Sequence, residues 1–234
     1  MIDVQHVRKT FATPDGEVIA LNDISLTIPT GTMVALMGPS GSGKTTLLNI
    51  IGAMDTPTSG SVTLDGKRVD GMEAEERATF RRGIGFVFQR FALIATASAY
   101  ENMEFALRIA GVERPVWHKR ILHALDVLDM SDHAHHRPGE LSGGQQQRIA
   151  VARAICIEPK ILIVDEPTAN LDSQRGAAVL SLFRSYAANG TTIVMSTHDP
   201  TSEKYATDIC RLRAGAIERY SRTSPASIDA TVQS

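Results

Sequence analysis

Three short stretches organise the chain: the apolar runs 33–37 and 161–164, and 192–195, where the β-branched Thr192 opens three apolar residues. Such runs without polar alternation predict strands buried on both faces of a sheet. The first run enters a Gly-rich stretch, after which residues 45–51 have the composition of a helix. Between the other two, Asp172 or Ser173 caps a predicted helix through Val179, Leu180 and Phe183 that stops near Asn189-Gly190. Residues 85–88 form a further apolar strand. Strand, helix and strand in this order predict right-handed crossovers and a parallel sheet. Residues 4–11, 18–28 and 61–64 behave differently. They alternate or carry β-branched side chains around turns at Pro14-Asp15-Gly16 and Asp65-Gly66, which predicts an antiparallel sheet beside the core. From 99 to 130 the period becomes helical, with Met103, Leu107, Ile121, Leu125 and Leu128 on one face of a separate lobe. Residues 221–234 are Ser, Thr and Ala with few apolar anchors, so a flexible tail is expected there.

Composition narrows the classes. With 43% hydrophobic and 21% charged residues, the 234-residue chain reads as globular and long enough for a real core. A net charge of −2 gives no broad attraction to nucleic acid. No run approaches the ~18 apolar residues that span a bilayer, and no charged-then-apolar export signal opens the chain. The two cysteines, Cys156 and Cys210, sit far apart in apolar surroundings and read as reduced core residues of a cytoplasmic protein. Any membrane path would then belong to a separate polypeptide.

The Gly-rich stretch Gly38-Pro39-Ser40-Gly41-Ser42-Gly43-Lys44-Thr45, followed by Thr46, fits G-x-x-x-x-G-K-[ST]. Glycines let backbone N–H groups turn inward around an anion, and the helix behind adds its positive end. Lys44 brings a charge to the β- and γ-phosphates, and Thr45 a hydroxyl for Mg²⁺. Asp165 and Glu166 end an apolar strand, which delivers two carboxylates to the sheet edge where α/β ligands bind. Asp165 is the expected Mg²⁺ ligand and Glu166 the general base toward water. Between loop and acids lies Leu141-Ser142-Gly143-Gly144-Gln145. Serine with glutamine three residues on is a capping box, opening a helix over residues 146–155. The two glycines expose N–H groups at that helix's positive end, suited to a second face of a triphosphate.

With these three elements in this order, the chain resembles the ATP-binding subunit of an ABC transporter from about Ile2 to about Tyr220. The resemblance implies an α/β fold, a RecA-like P-loop NTPase core with an antiparallel β subdomain and an α-helical subdomain. Residues 1–89 and 141–220 would form core and β subdomain, and about 90–140 the helical one. It implies that ATP and Mg²⁺ are bound between two head-to-tail copies, Leu141, Ser142, Gly143, Gly144 and Gln145 gripping the other copy's ATP. By the same likeness Gln89 is the Q-loop glutamine, touching Mg²⁺ or the attacking water, and His198 the switch histidine at the γ-phosphate. Phe11 takes the place of the adenine-stacking aromatic, commonly tyrosine, with Val18 in the same ATP-binding set. Asp172, in Ala169-Asn170-Leu171-Asp172, resembles the D-loop residue at the subunit boundary. Residues 91–99 depart from the family's Leu-Leu-Pro-like turn, where relatives grip a membrane subunit.

Within the superfamily the likeness is to the macrolide-efflux and lipoprotein-release branch, with haem-efflux pumps using the same type of ATPase. It rests on Gly-Gly-Gln-Gln-Gln-Arg at 143–148, Phe-Val-Phe-Gln-Arg at 86–90 and Asn49-Ile50-Ile51-Gly52. The expected partners are a second ATPase subunit and an integral-membrane permease, at the cytoplasmic face of the cell membrane, without nucleic acid. The expected role is export of a peptide, macrolide, lipoprotein or haem. The alternative is an ATP-switched clamp of the cell-division type that moves no cargo. His133, His135 and His136 read as a solvated loop rather than a metal site, because no acidic or thiol partner stands at ligand spacing.

Overall fold

The computed structural model describes residues 1–14 and 16–223. It opens with a long hairpin of β1 (Ile2–Thr13) and β2 (Gly16–Ile28), followed by β3 (Met33–Met37) and α1 (Lys44–Ile51). Next come β4 (Ser59–Leu64), β5 (Lys67–Arg68), α2 (Ala74–Arg81) and β6 (Ile84–Val87). The helices α3 (Ala99–Ile109), α4 (Trp117–Asp126) and α5 (Gly143–Ile155) follow. The chain then runs through β7 (Ile161–Asp165), α6 (Ser173–Ala188), β8 (Thr192–Thr197), β9 (Asp208–Arg213) and β10 (Ala216–Arg222). One sheet has the order β2-β1-β4-β5 and is antiparallel; the other has the order β10-β9-β3-β8-β7-β6 and is parallel except for β10.

Every residue of β3 is buried because both faces of the parallel sheet are covered. Met33, Ala35 and Met37 point into one core with Leu162, Val164, Ile193 and Met195. On that side lie Met103 of α3, Ile121 of α4, Ile149 of α5 and Phe183 of α6. Val34 and Leu36 point the other way with Ile161, Ile163 and Val194, toward Leu47 of α1 and Ile2 and Leu21 of the antiparallel sheet. Burying a large aliphatic side chain stabilises by roughly 1.5–3 kcal/mol, so these two-sided strands hold both layers at once. Helices α1 and α5 therefore pack on opposite faces of one sheet. Cys156 and Cys210 are buried free thiols.

Several boundaries differ from the sequence expectation. Helix α5 starts at Gly143 instead of 146, because the capping box places Ser142 itself at the N-cap. Strand β6 ends at Val87, leaving Phe88 outside it. The helical stretch over 99–130 is two helices with a short 3-10 turn, Arg114–Val116, between them. The start of the expected tail is corrected: Ser221 and Arg222 belong to β10, opposite Ile209 and Asp208, and Arg222 Nε donates to Asp208 Oδ1 at 3.3 Å. Residues 224–234 of that tail, and Asp15 of the first predicted turn, lie outside the described residues.

Candidate functional site

The parallel register lines up four strand ends. Met37 of β3 stands opposite Thr197 of β8, Asp165 of β7 opposite Ser196 of β8, and Val87 of β6 opposite Val164 of β7. Gly38 and His198 each directly follow the first pair, and Gln89 and Glu166 each lie two residues beyond the last. Neighbouring strands lie about 4.8 Å apart, so the Gly-rich loop, His198, the two carboxylates and Gln89 share one short edge.

The loop is packed from behind and open in front. A Cβ on Gly38 would lie 2.2 Å from the Leu212 carbonyl oxygen, and one on Gly43 2.7 Å from that of Ala20. Strands β9 and β2 thus fix the back of the loop, and at Gly38 (φ 153°) and Gly43 (φ 100°) only glycine fits. Gly215, in the β9–β10 turn, donates its N–H to the Ser42 carbonyl at 3.2 Å. Pro39, Ser40 and Gly41 are exposed at the mouth. Lys44 Nζ donates to the Gly38 and Pro39 carbonyls at 2.8 and 3.0 Å, so its ammonium lies across that mouth. No side chain caps α1, which leaves its first N–H groups to a ligand. Thr45 is exposed in the first turn and Thr46 half-buried; the Ser42 hydroxyl is buried without a protein partner.

Asp165 and Glu166 are both half-buried. The Ser196 hydroxyl donates to Asp165 Oδ1, and the Glu166 N–H donates to the Ser196 carbonyl and hydroxyl oxygens, each at 3.2 Å. Glu166 adopts φ 50°, a left-handed turn that directs its side chain out of the strand line, and its Oε2 lies 2.9 Å from Nδ1 of the exposed His198. Thr45, Asp165 and Gln89 offer a hydroxyl, a carboxylate and an amide oxygen, a hard oxygen set that suits Mg²⁺. Ser196 was missed as a site residue. Its signal was its place just beyond the apolar run that ends at Met195, one strand over from Asp165.

The Ser142–Gln145 element is folded as a reciprocal cap. Ser142 Oγ accepts from Gln145 N at 3.3 Å, and Gln145 Oε1 accepts from Ser142 N at 2.8 Å. Leu141 is buried and Gly143 is open, with nothing near a Cβ placed there. Gly144 backs onto the D-loop-like segment, its notional Cβ 3.1 Å from the Asn170 carbonyl. Asp172 caps α6, accepting from Arg175 N at 2.9 Å. That backbone donor, with the Arg175 guanidinium beside it, holds the Asp172 carboxyl below its ordinary value. Phe11 and Val18 are paired across β1 and β2 and both exposed, with Lys9 Nζ 5.1 Å from the Phe11 ring centre. His133 lies on Gln145, His136 beside His133 and His135 beside Tyr100. Among the described residues no group of three or more His, Cys, Asp and Glu side chains is placed to hold a metal.

A groove runs between the core and the helical layer, floored by Phe88, Ile94, Phe105 and Ile109 with Arg81 and Arg153 among its walls. Ile94, Phe105 and Ile109 are exposed there. Phe91 and Ala92 both take left-handed φ values, 60° and 49°, and Arg153 of α5 donates to both their carbonyls. The sequence reading missed Arg153, since nothing local marks an arginine for two distant carbonyls. No described helix is long and apolar enough to cross a membrane.

A family model described as ABC transporter matches residues 21–169. An uncharacterised ABC transporter ATP-binding protein of Methanocaldococcus jannaschii is 45% identical over 218 residues, covering 93% of this chain and 97% of the relative. A macrolide export ATP-binding/permease protein of Syntrophobacter fumaroxidans is 45% identical over 222 residues, and this chain spans 31% of its length. Among solved structures, the ATP-binding cassette MJ0796, a dimer in a post-hydrolysis state bound to ADP and Pi, superposes with a TM-score of 0.90. It is 38% identical, covering 95% of this chain and 98% of the other.

Proposed function

The chain belongs to the ABC transporter family and is an ABC ATPase, a cassette of the kind that dimerises and pairs with membrane permeases; from that premise we propose that two copies join head to tail around two ATP molecules and drive a separate exporter. The observation that carries this is the arrangement of the sheet. The Gly-rich loop that leads to Lys44, and His198, Glu166 and Gln89, all follow strand ends on one edge of the parallel sheet, while Ser142 opens a helix that packs on the opposite face from α1. An anion at the α1 terminus meets one half of a site, and a second copy supplies the other half. The dimeric cassette MJ0796 supports this pairing by its likeness.

In the reaction, Lys44 and the backbone N–H groups of Gly41, Gly43, Lys44, Thr45 and Thr46 bind the triphosphate, with Phe11 and Val18 against the base. Glu166 accepts a proton from water as the water oxygen bonds to the γ-phosphorus and the bond to ADP breaks. His198 holds Glu166 in place and reaches the γ-phosphate. Thr45, Asp165 and Gln89 would hold Mg²⁺, which supplies positive charge to the β- and γ-phosphate oxygens. Leu141, Ser142, Gly143, Gly144 and Gln145 close the far side from the partner copy, with Asp172 at the boundary.

The groove of Phe88, Ile94, Phe105 and Ile109 is the docking place for the permease. Its apolar lining suits the apolar face of a short amphipathic helix, while Arg81 and Arg153, bonded to the Ala53, Phe91 and Ala92 carbonyls, hold its walls in shape. The likeness to macrolide export proteins favours export, with peptide, macrolide, lipoprotein or haem as cargo, from the cytoplasmic face of the membrane. Replacing Glu166→Gln tests the centre of this reading. Turnover falls by at least about a hundredfold while ATP still binds, and ATP converts the variant to a stable dimer on size-exclusion chromatography. Ordinary turnover in that variant would remove Glu166 from the role of base. A permease encoded beside this chain should co-purify with it, and an Ile109→Asp substitution in the groove should release it without changing ATP affinity.

A further inference from the structure

The histidines of residues 133–136 sit where the helical layer returns to Ser142, and one of them touches the nucleotide machinery. Gln145 Nε2 lies 2.7 Å from His133 Nε2. The other end of the same amide is already committed, because Gln145 Oε1 accepts from Ser142 N at 2.8 Å. That bond fixes which end of the amide is nitrogen, so Gln145 Nε2–H donates and His133 Nε2 accepts. The ring proton then resides on Nδ1, which is buried without a protein partner. If the proton moved to Nε2, two N–H groups would face each other. Gln145 would escape only by turning its amide over, which would present N–H to the Ser142 N–H and open the cap.

The loop that carries His133 is itself tied down. Its N–H donates to the Met130 carbonyl at 3.0 Å, and the first residues of α3 donate to its neighbours: Ala99 N to His136 O and Tyr100 N to Ala134 O, each at 2.8 Å. The His136 ring flanks it, with centroids 5.2 Å apart. The imidazole is thus held by backbone on one side and aimed at Gln145 on the other. We propose that His133 is a positioning residue for ATP-dependent pairing: by accepting from Gln145 it keeps the Ser142–Gln145 turn in the shape that receives a second copy's nucleotide. The assignment rests on the reading that this turn grips ATP from the partner.

Two substitutions in the full chain test it. His133→Phe keeps a ring of similar size and removes the acceptor, and His133→Gln returns an acceptor oxygen at nearly the reach of Nε2. The readouts are ATP affinity of the monomer, the ATP concentration for half-maximal dimerisation, and kcat and KM for hydrolysis. His133→Phe should raise the pairing midpoint and KM about tenfold, the effect of one lost hydrogen bond, with kcat and monomer affinity within about twofold. His133→Gln should recover most of the loss. Equal behaviour of the two variants, whether both unimpaired or both equally weakened, would overturn the proposal. Ser142→Arg run alongside separates the two levels. If it still dimerises with ATP, the two-copy reading itself fails; if it does not, while His133→Phe pairs normally, only the role of His133 fails.

Discussion

Asp165 and Glu166 are neighbours in sequence held in different ways, and Ser196 sets the difference. Its hydroxyl donates to the Asp165 carboxylate, which keeps that side chain turned along the strand end, while its backbone carbonyl takes the Glu166 N–H and stabilises the left-handed turn. One carboxylate is thereby anchored where the proposed reading needs a Mg²⁺ ligand, and the other is turned toward His198. Ser196→Ala removes the hydroxyl alone. Hydrogen bonds behind a metal ligand are commonly worth ten- to a hundredfold, so the Mg²⁺ concentration for half-maximal ATPase activity should rise at least about tenfold. ATP binding without Mg²⁺ should stay as it was. A titration showing the same Mg²⁺ midpoint would mean that Asp165 needs no anchor. The acids and the lysine announced themselves by motif, whereas Ser196, Arg153 and His133 act across 31, 62 and 12 positions of chain, and no local pattern encodes such contacts.

At the level of elements, caps and unbroken apolar runs were readable and surface-facing segments were not. The Asp172 cap of α6 and the Ser142 cap of α5 both follow from a short polar side chain placed just before an apolar period. Helix α2 escaped notice because none of its residues is buried, so it has no apolar stripe to detect; a Glu73–Glu76 capping box opens it instead. The hairpin of β9 and β10 was overlooked too, although its Ala214-Gly215 turn supports the phosphate loop through Ser42. The α6 cap makes a prediction about acid. The Arg175 N–H and guanidinium lower the Asp172 carboxyl below its unfolded value, near 3.9. A depressed carboxylate contributes stability that is present above the unfolded value and lost as pH falls through the folded one. The stability gap between the native chain and Asp172→Ala should therefore be constant from pH 7 to about 5 and close only below about 4. Urea unfolding at several pH values measures it; a gap that closes near neutrality would show that the cap does not depend on this carboxylate.

Across the whole molecule, alternation along β3, β7 and β8 sends neighbouring side chains to two different cores, and with them α1 and α5 to opposite sides of the sheet. Apolar runs predicted that both faces would be covered, but a run without alternation does not say which helix covers which face. That assignment decides whether a nucleotide is held by one chain or by two, and mixing two damaged proteins distinguishes the cases. Lys44→Ala spoils the cradle and leaves Ser142 intact; Ser142→Arg spoils the clamp and leaves Lys44 intact. In homodimers of either variant, every shared site contains one defect. In a mixed dimer both defects fall into the same site, and the other site combines an intact Lys44 with an intact Ser142. With Glu166→Gln added to both so that paired molecules persist, each variant alone should remain monomeric with ATP. An equimolar mixture should form dimers, each retaining about one nucleotide, half the load of a pair built on two sound sites. A site completed within one chain gives no such rescue, since neither variant then has anything to lend the other.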